Sequence, residues 1–150
     1  KNLPIFPLYY SGNTKFMPIH CSDLIDIIYQ VVQKNIKSNI LECVGPELIS
    51  FKEILKRLLK LINKNRLLIP VPFFFANITA KIFQIFPKPL LTVDQLILLK
   101  YDNVSSNKYQ TNFDIGVPSS REFDKEVEKY CYMWREGGQF STKKYDSMNS

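Results

Sequence analysis

Between residues 16 and 64 the chain alternates short apolar runs with longer apolar stripes at helical spacing. Phe16 to Cys21 (FMPIHC) is short and mostly apolar, and Pro18 suits it to an edge strand or a strand start. From Asp23 the pattern turns helical. Leu24, Ile27, Ile28, Val31 and Val32 recur on one face, with Asp23 as the expected N-cap and Asp26 in the electropositive first turn. Residues 40–44 (ILECV) read as a second strand, stopped by Gly45-Pro46. Ser50-Phe-Lys-Glu53 then spells a capping box ahead of Ile54, Leu55, Leu58, Leu59 and Ile62, and Asn63 to Asn65 close that helix. Strand, helix, strand, helix in this order predicts an α/β layer in which helices cover a mainly parallel sheet.

The flanks read differently. Residues 1–15 carry Pro4, Pro7 and Ser11-Gly12-Asn13, which are loop and turn signals. Leu67 to Phe86 is heavily apolar and near the length of a membrane span, but Pro70, Pro72, Asn77, Lys81 and Gln84 interrupt it. The expectation is an extended LLIPVP segment, then a helix from about Phe73 whose apolar face packs in a core or lies on a membrane surface. One helix face cannot bury all of Phe73-Phe74-Phe75, so one ring hints at an interface. Pro87-Lys88-Pro89 breaks this helix. Thr92 caps the next, with Val93, Leu96, Ile97 and Leu99 as its apolar part, and Asp102-Asn103 closes it. Residues 104–118 read as loop. Ser119-Ser120 caps a last helix over roughly 121–135, with Phe123, Val127, Tyr130, Cys131 and Trp134 inward and Gly137-Gly138 at its end. Residues 141–150 are a polar tail.

Among 150 residues, 45% are apolar and 13% aromatic, globular values that exclude a disordered chain. Twenty Lys and Arg against 14 Asp and Glu leave a net charge of +6. The basic residues fall singly or in small groups (Lys34/Lys37, Lys56/Arg57/Lys60, Lys64/Arg66), too sparse for a nucleic-acid arm, so no nucleic-acid partner is expected. Cys21, Cys43 and Cys131 form no CxxC pair, which excludes zinc ribbons, thioredoxin-like sites and a disulfide framework and fits a reducing compartment. Cys21 and Cys43 sit in apolar strand-like runs as small hydrophobes. The chain opens on Lys1, which suggests a processed product or a fragment.

Chemistry-bearing motifs are few. The glycines stand at 12, 45, 116, 137 and 138, so neither G-x-G-x-x-G nor a P-loop can be written. No Tyr has a Lys four residues later, one His excludes His-rich zinc sites and HExxH, and G-x-S-x-G is missing. No metal site is expected. His20 is a possible proton donor or ligand, with a strand-end residue bonded locally as the plainer reading. Asp23 reads as a helix cap rather than a catalytic carboxylate. Glu47 is either pocket-facing or a solvated loop acid.

These segments carry a resemblance. FMPIHCSDLIDII resembles the extended, or atypical, short-chain dehydrogenases where a strand ends in V-x-D and leads into a helix, with Cys21 in place of the Val. ILECVGPELISFKEIL is similar to their next strand–loop–helix unit. LLIPVPFFFANITAKIFQIFPKPLLTVDQLILLKYDNV is similar to one branch, the nucleotide-binding accessory subunit of respiratory complex I and its bacterial relatives. That branch carries P-x-P-x-L-T-x-D-Q-x-x-L-L-x-x-D-N, here Pro87, Pro89, Leu91, Thr92, Asp94, Gln95, Leu98, Leu99, Asp102 and Asn103. The closing R-x-G-G-Q-F also resembles that branch. The likeness covers residues 1–140. It implies the C-terminal part of a Rossmann-like extended short-chain dehydrogenase fold, comprising the last strands plus a small, mainly helical substrate lobe.

The resemblance places the Gly-rich NAD(P) site and the Tyr/Lys pair in an N-terminal Rossmann half absent from these residues. NAD(P)(H) is therefore expected in the intact protein and not on this chain alone, and no catalytic residue is assigned. Where sugar-nucleotide epimerases carry an Arg for the substrate diphosphate, this chain has Phe16, and a neutral ring cannot pair with a diphosphate. Phe16, His20 and Glu47 are the substrate-lobe candidates. The expected role is structural, in assembly or stability of a respiratory complex. Its partners would be the Rossmann half, subunits of that complex and an anionic membrane surface, in the bacterial cytoplasm or on the mitochondrial matrix side. The alternatives are a lobe of a quinone-related or sugar-nucleotide reductase or epimerase, and a gene fragment without function.

Overall fold

Among the described residues, two long amphipathic helices and three pairs of short strands organise the fold. The structure is a computed structural model describing residues 5–37, 40–71, 93–135 and 138. In order these form β1 (Ile5–Tyr9), β2 (Lys15–Phe16), α1 (Cys21–Gln33), β3 (Leu41–Glu42), β4 (Ile49–Ser50), α2 (Phe51–Leu61), β5 (Leu67–Val71), α3 (Val93–Leu98), β6 (Gln110–Thr111) and α4 (Phe123–Cys131). The expected mixture of helices and strands is present. Among the described residues the pairing is β1–β5 parallel, β3–β6 parallel and β2–β4 antiparallel.

Sequence expectation and structure diverge first at the N-terminus. Ile5–Tyr9, read as loop, is a strand with Ile5 opposite Leu67 and Tyr9 opposite Val71. Both strands carry a proline, Pro7 and Pro70, which edge strands tolerate because one side of the backbone has no ladder to complete. The reading of LLIPV as extended holds. Gln110–Thr111 also pairs within the segment read as loop.

Local capping is sharper than expected in one helix and displaced in another. At α2, the Ser50 hydroxyl accepts the Glu53 N–H at 3.2 Å and Glu53 accepts the Ser50 N–H at 2.9 Å, the predicted capping box. Strand structure near residue 16 stops at Phe16, and α1 starts at Cys21 with His20 as N-cap, three residues before the expected cap Asp23. Cys21 is therefore an exposed helix residue rather than a strand hydrophobe. Cys43 follows β3 half-buried and Cys131 is buried on α4, and burial pushes both of these thiols up. Both long helices end alike. Asn35 (φ 48°) and Asn63 (φ 53°) take the left-handed conformation. The next residue, Ile36 or Lys64, then donates its N–H back to Val31 or Leu59, closing a Schellman motif.

Helical structure in the last segment runs from Phe123 to Trp134, its final turn a 3-10 helix, close to the expected span of roughly 121–135, but Ser119 does not cap it. Tyr130 and Trp134, expected inward, are 56% and 58% exposed, while Cys131 is buried. The core gathers Tyr9, Leu96 and Leu99, with Phe16, Phe51 and Val71 packed against them. Ile97, expected on the apolar face of α3, is exposed. Gly45 sits where its N–H donates to the Met17 carbonyl at 3.1 Å, and a Cβ there would lie 1.7 Å from the Pro18 oxygen. The expected helix from Phe73 with its aromatic trio, the break at 87–89, the Thr92 cap, Gly137 and the tail at 141–150 lie outside the described residues.

Candidate functional site

Phe16 lines a cavity of about 600 Å³. β2 presents the ring, α2 contributes Phe51 (ring centroids 6.3 Å apart), and the end of α3 with the turn after it contributes Leu98, Leu99 and Tyr101. Gln95, Asp102 and Asn103 supply its polar side. The turn is fixed by backbone pairing. Asn103 N–H donates to the Lys15 carbonyl at 2.8 Å, Met17 N–H to the Asn103 carbonyl at 3.1 Å, and Lys15 N–H to Asp102 Oδ1 at 2.8 Å. Thr14 ties the same region to α3 through its hydroxyl, which donates to the Leu99 carbonyl. The volume lies within the range of small-molecule pockets, and the described walls carry no Arg or Lys for a diphosphate.

His20 borders a separate, smaller cleft of about 170 Å³ with Arg121, Phe123, Glu126 and Val127. Its Nδ1 accepts the Ser22 N–H at 3.2 Å, so the ring proton belongs on Nε2. Cys21 Sγ lies 3.9 Å from that Nε2, and Glu126 Oε2 lies 3.8 Å from it. The three do not form a nucleophile–base–orienter relay. Both neighbours meet the same nitrogen, which donates rather than accepts, while the opposite nitrogen is spent on the helix. His20 is thus locally bonded, as the plainer reading had it, but as a helix cap.

Glu47 is half-buried and holds two partners. Oε2 accepts Arg57 Nη1 at 2.7 Å and Oε1 accepts the Phe123 N–H at 2.9 Å. The Arg57 guanidinium, first, and the Phe123 N–H hold its carboxyl below the usual carboxylate range. Phe16 thus lines one cavity, His20 caps α1 beside a second cleft, and Glu47 ties α2 to α4.

Two tertiary arrangements lie beyond the sequence expectation: Asp23, expected as a cap, pairs with Arg121, and Asn112 is buried. Asp23, 4% exposed, accepts the Arg121 N–H at 3.0 Å and the Arg121 guanidinium, which also reaches Asp26 at 3.0 Å. Asn112 is fully buried. Its Oδ1 accepts the Val44 N–H at 2.8 Å and its Nδ2 donates to Ser119 Oγ, whose hydroxyl donates to the Val44 carbonyl at 2.6 Å. Two side chains thus extend the β3–β6 ladder to Val44. No local pattern could have signalled either arrangement.

Among the described residues no cluster of three or more His, Cys, Asp or Glu can hold a metal ion. No described helix is long and apolar enough to cross a membrane. No protein-family model and no curated protein matches the chain.

Proposed function

We propose that this chain is the C-terminal portion of a larger NAD(P)-binding protein of the extended short-chain dehydrogenase kind. Its role is structural, in assembly or stability of a respiratory membrane complex. The supporting observation is the second apolar face of α1. Asp23 and Ile27 are buried on its inner side. Ile25, Ile28, Tyr29 and Val32 stand outward at i, i+3, i+4 and i+7, exposed by 64%, 55%, 57% and 74%. A helix apolar on both sides is built for burial on both sides. Parallel strand pairs such as β1–β5 and β3–β6 likewise belong to sheets covered on both faces. A Rossmann half bearing the glycine turn and the NAD(P) site supplies such a covering layer.

The apolar cavity at Phe16 favours a second reading, the lobe of a reductase that closes on an apolar, quinone-like tail. Sugar-nucleotide chemistry is disfavoured by the same cavity.

The test is reassembly. A Rossmann half of this kind, supplied on a second chain, should co-elute with this chain in gel filtration. Ile28→Asp with Val32→Asp should abolish co-elution without changing the circular dichroism of the chain alone. Co-elution that survives both changes, or none with the unaltered chain, sinks the reading. The chain alone should show no NADPH binding by calorimetry; micromolar binding would refute the assignment of the cofactor to the other half.

A further inference from the structure

We propose that the cleft between the C-terminal end of α2 and the start of β5 binds a phosphate-bearing ligand. The cleft has a volume of about 650 Å³, and Lys56, Lys60, Lys64 and Arg66 line it beside the amides of Asn63 and Asn65. No carboxylate stands among its described lining residues. The volume suits a small molecule or a headgroup.

The concentration of charge has a local origin in the helix end. Lys56 and Lys60 are four residues apart and share one face, so they repel each other. Glu53, one turn earlier, is committed to Ser50, where it accepts both the N–H and the hydroxyl. The left-handed Asn63 then reverses the chain, so Lys64 and Arg66 return to the same cleft.

Helix C-termini ordinarily recruit cations to their last carbonyls. Here those carbonyls are already used. Leu58, Leu59 and Lys60 accept from Ile62, Lys64 and Asn63 N–H, and Leu61 accepts from Arg135 Nε at 2.7 Å. Carbonyl capping therefore does not account for Lys56, Lys60 and Arg66 gathering around one cleft. A phosphate group does: it takes the guanidinium fork of Arg66 through paired N–H bonds, the lysines as point charges and the Asn amides as neutral donors. Phosphate chemistry can arrive as a soluble polyphosphate or as an anionic lipid headgroup, and Leu67, 65% exposed at the cleft, is compatible with either.

The test titrates the isotope-labelled 150-residue chain with inorganic pyrophosphate and follows the backbone amides. Shifts should concentrate at Lys60, Asn63 and Arg66. Arg66→Glu and Lys60→Glu should each weaken binding by at least about tenfold. Lys125→Glu, an equal charge change at the opposite end of α4 from Arg135, should leave it unchanged. Melting curves confirm that each variant folds. A second arm adds vesicles of phosphatidylglycerol or phosphatidylcholine. Retention by the former alone, lost in Arg66→Glu, assigns the site to lipid headgroups, and pyrophosphate binding without retention assigns it to soluble phosphate. Neither kind of binding, or equal loss in Lys125→Glu, overturns the proposal.

Discussion

Glu47 caps α4 from 76 residues away by accepting the Phe123 N–H at 2.9 Å. Glu122, the residue at the N-cap position of α4, makes no side-chain cap of its own. The start of α4 is thus held by tertiary structure, with Arg57 fixing the second carboxylate oxygen of Glu47. Glu47→Ala is expected to lose about 1 kcal/mol of stability, the usual worth of a cap. Chemical denaturation checks it.

The same carboxylate sets a pH dependence. Hydrogen bonds hold Glu47, Glu42, Glu53, Asp114 and Glu126 below their ordinary values. A folded-state value below the unfolded one stabilises above the ordinary carboxylate range, and that stability is lost as pH falls through it. Unfolding midpoints should be flat from neutrality to about pH 5 and drop below it. Glu47→Gln should flatten part of the acid limb; an unchanged limb would show that Glu47 does not contribute.

Asn112→Ala should destabilise by about 1–3 kcal/mol, because the Val44 N–H is left buried without its acceptor. Ser119→Ala strands the Val44 carbonyl and should cost less, since a carbonyl tolerates loss better than an N–H. Urea midpoints of the two variants order them.

Gly45→Ala should be among the most damaging single changes. A methyl there meets the Pro18 carbonyl backbone, which cannot swing aside as a side chain can. The expected result is loss of the cooperative thermal transition or a drop in midpoint of at least several degrees.

Phe16→Arg tests the apolar cavity. A guanidinium against Phe51, Leu98 and Leu99 loses water without gaining a carboxylate partner other than Asp102, already bonded to Lys15. A fluorescent quinone analogue bound by the unaltered chain should be released; retained binding would place that ligand elsewhere.

What can be read along the chain and what cannot divide by range. The Ser50–Glu53 capping box and the extended LLIPV segment are written within a few residues, since capping acts over one helical turn, whereas of the stripe expected on one face of α1 Ile27 is buried and Ile28 and Val32 are exposed. Asp23 has the local pattern of a cap, yet its carboxylate lies inside and meets Arg121, 98 residues on, while His20 caps instead. The strand at Ile5–Tyr9 was hidden because its partner is Leu67–Val71 and its Pro7 resembles a turn signal. The Phe16 cavity joins β2, α2 and the end of α3, and the basic cleft appears along the chain as small, scattered groups of Lys and Arg. The start of α2 follows from neighbouring residues, whereas the start of α4 waits for Glu47. Strand partners, buried carboxylates and cavities depend on which distant backbone groups meet, and that is set by the packing of the whole chain.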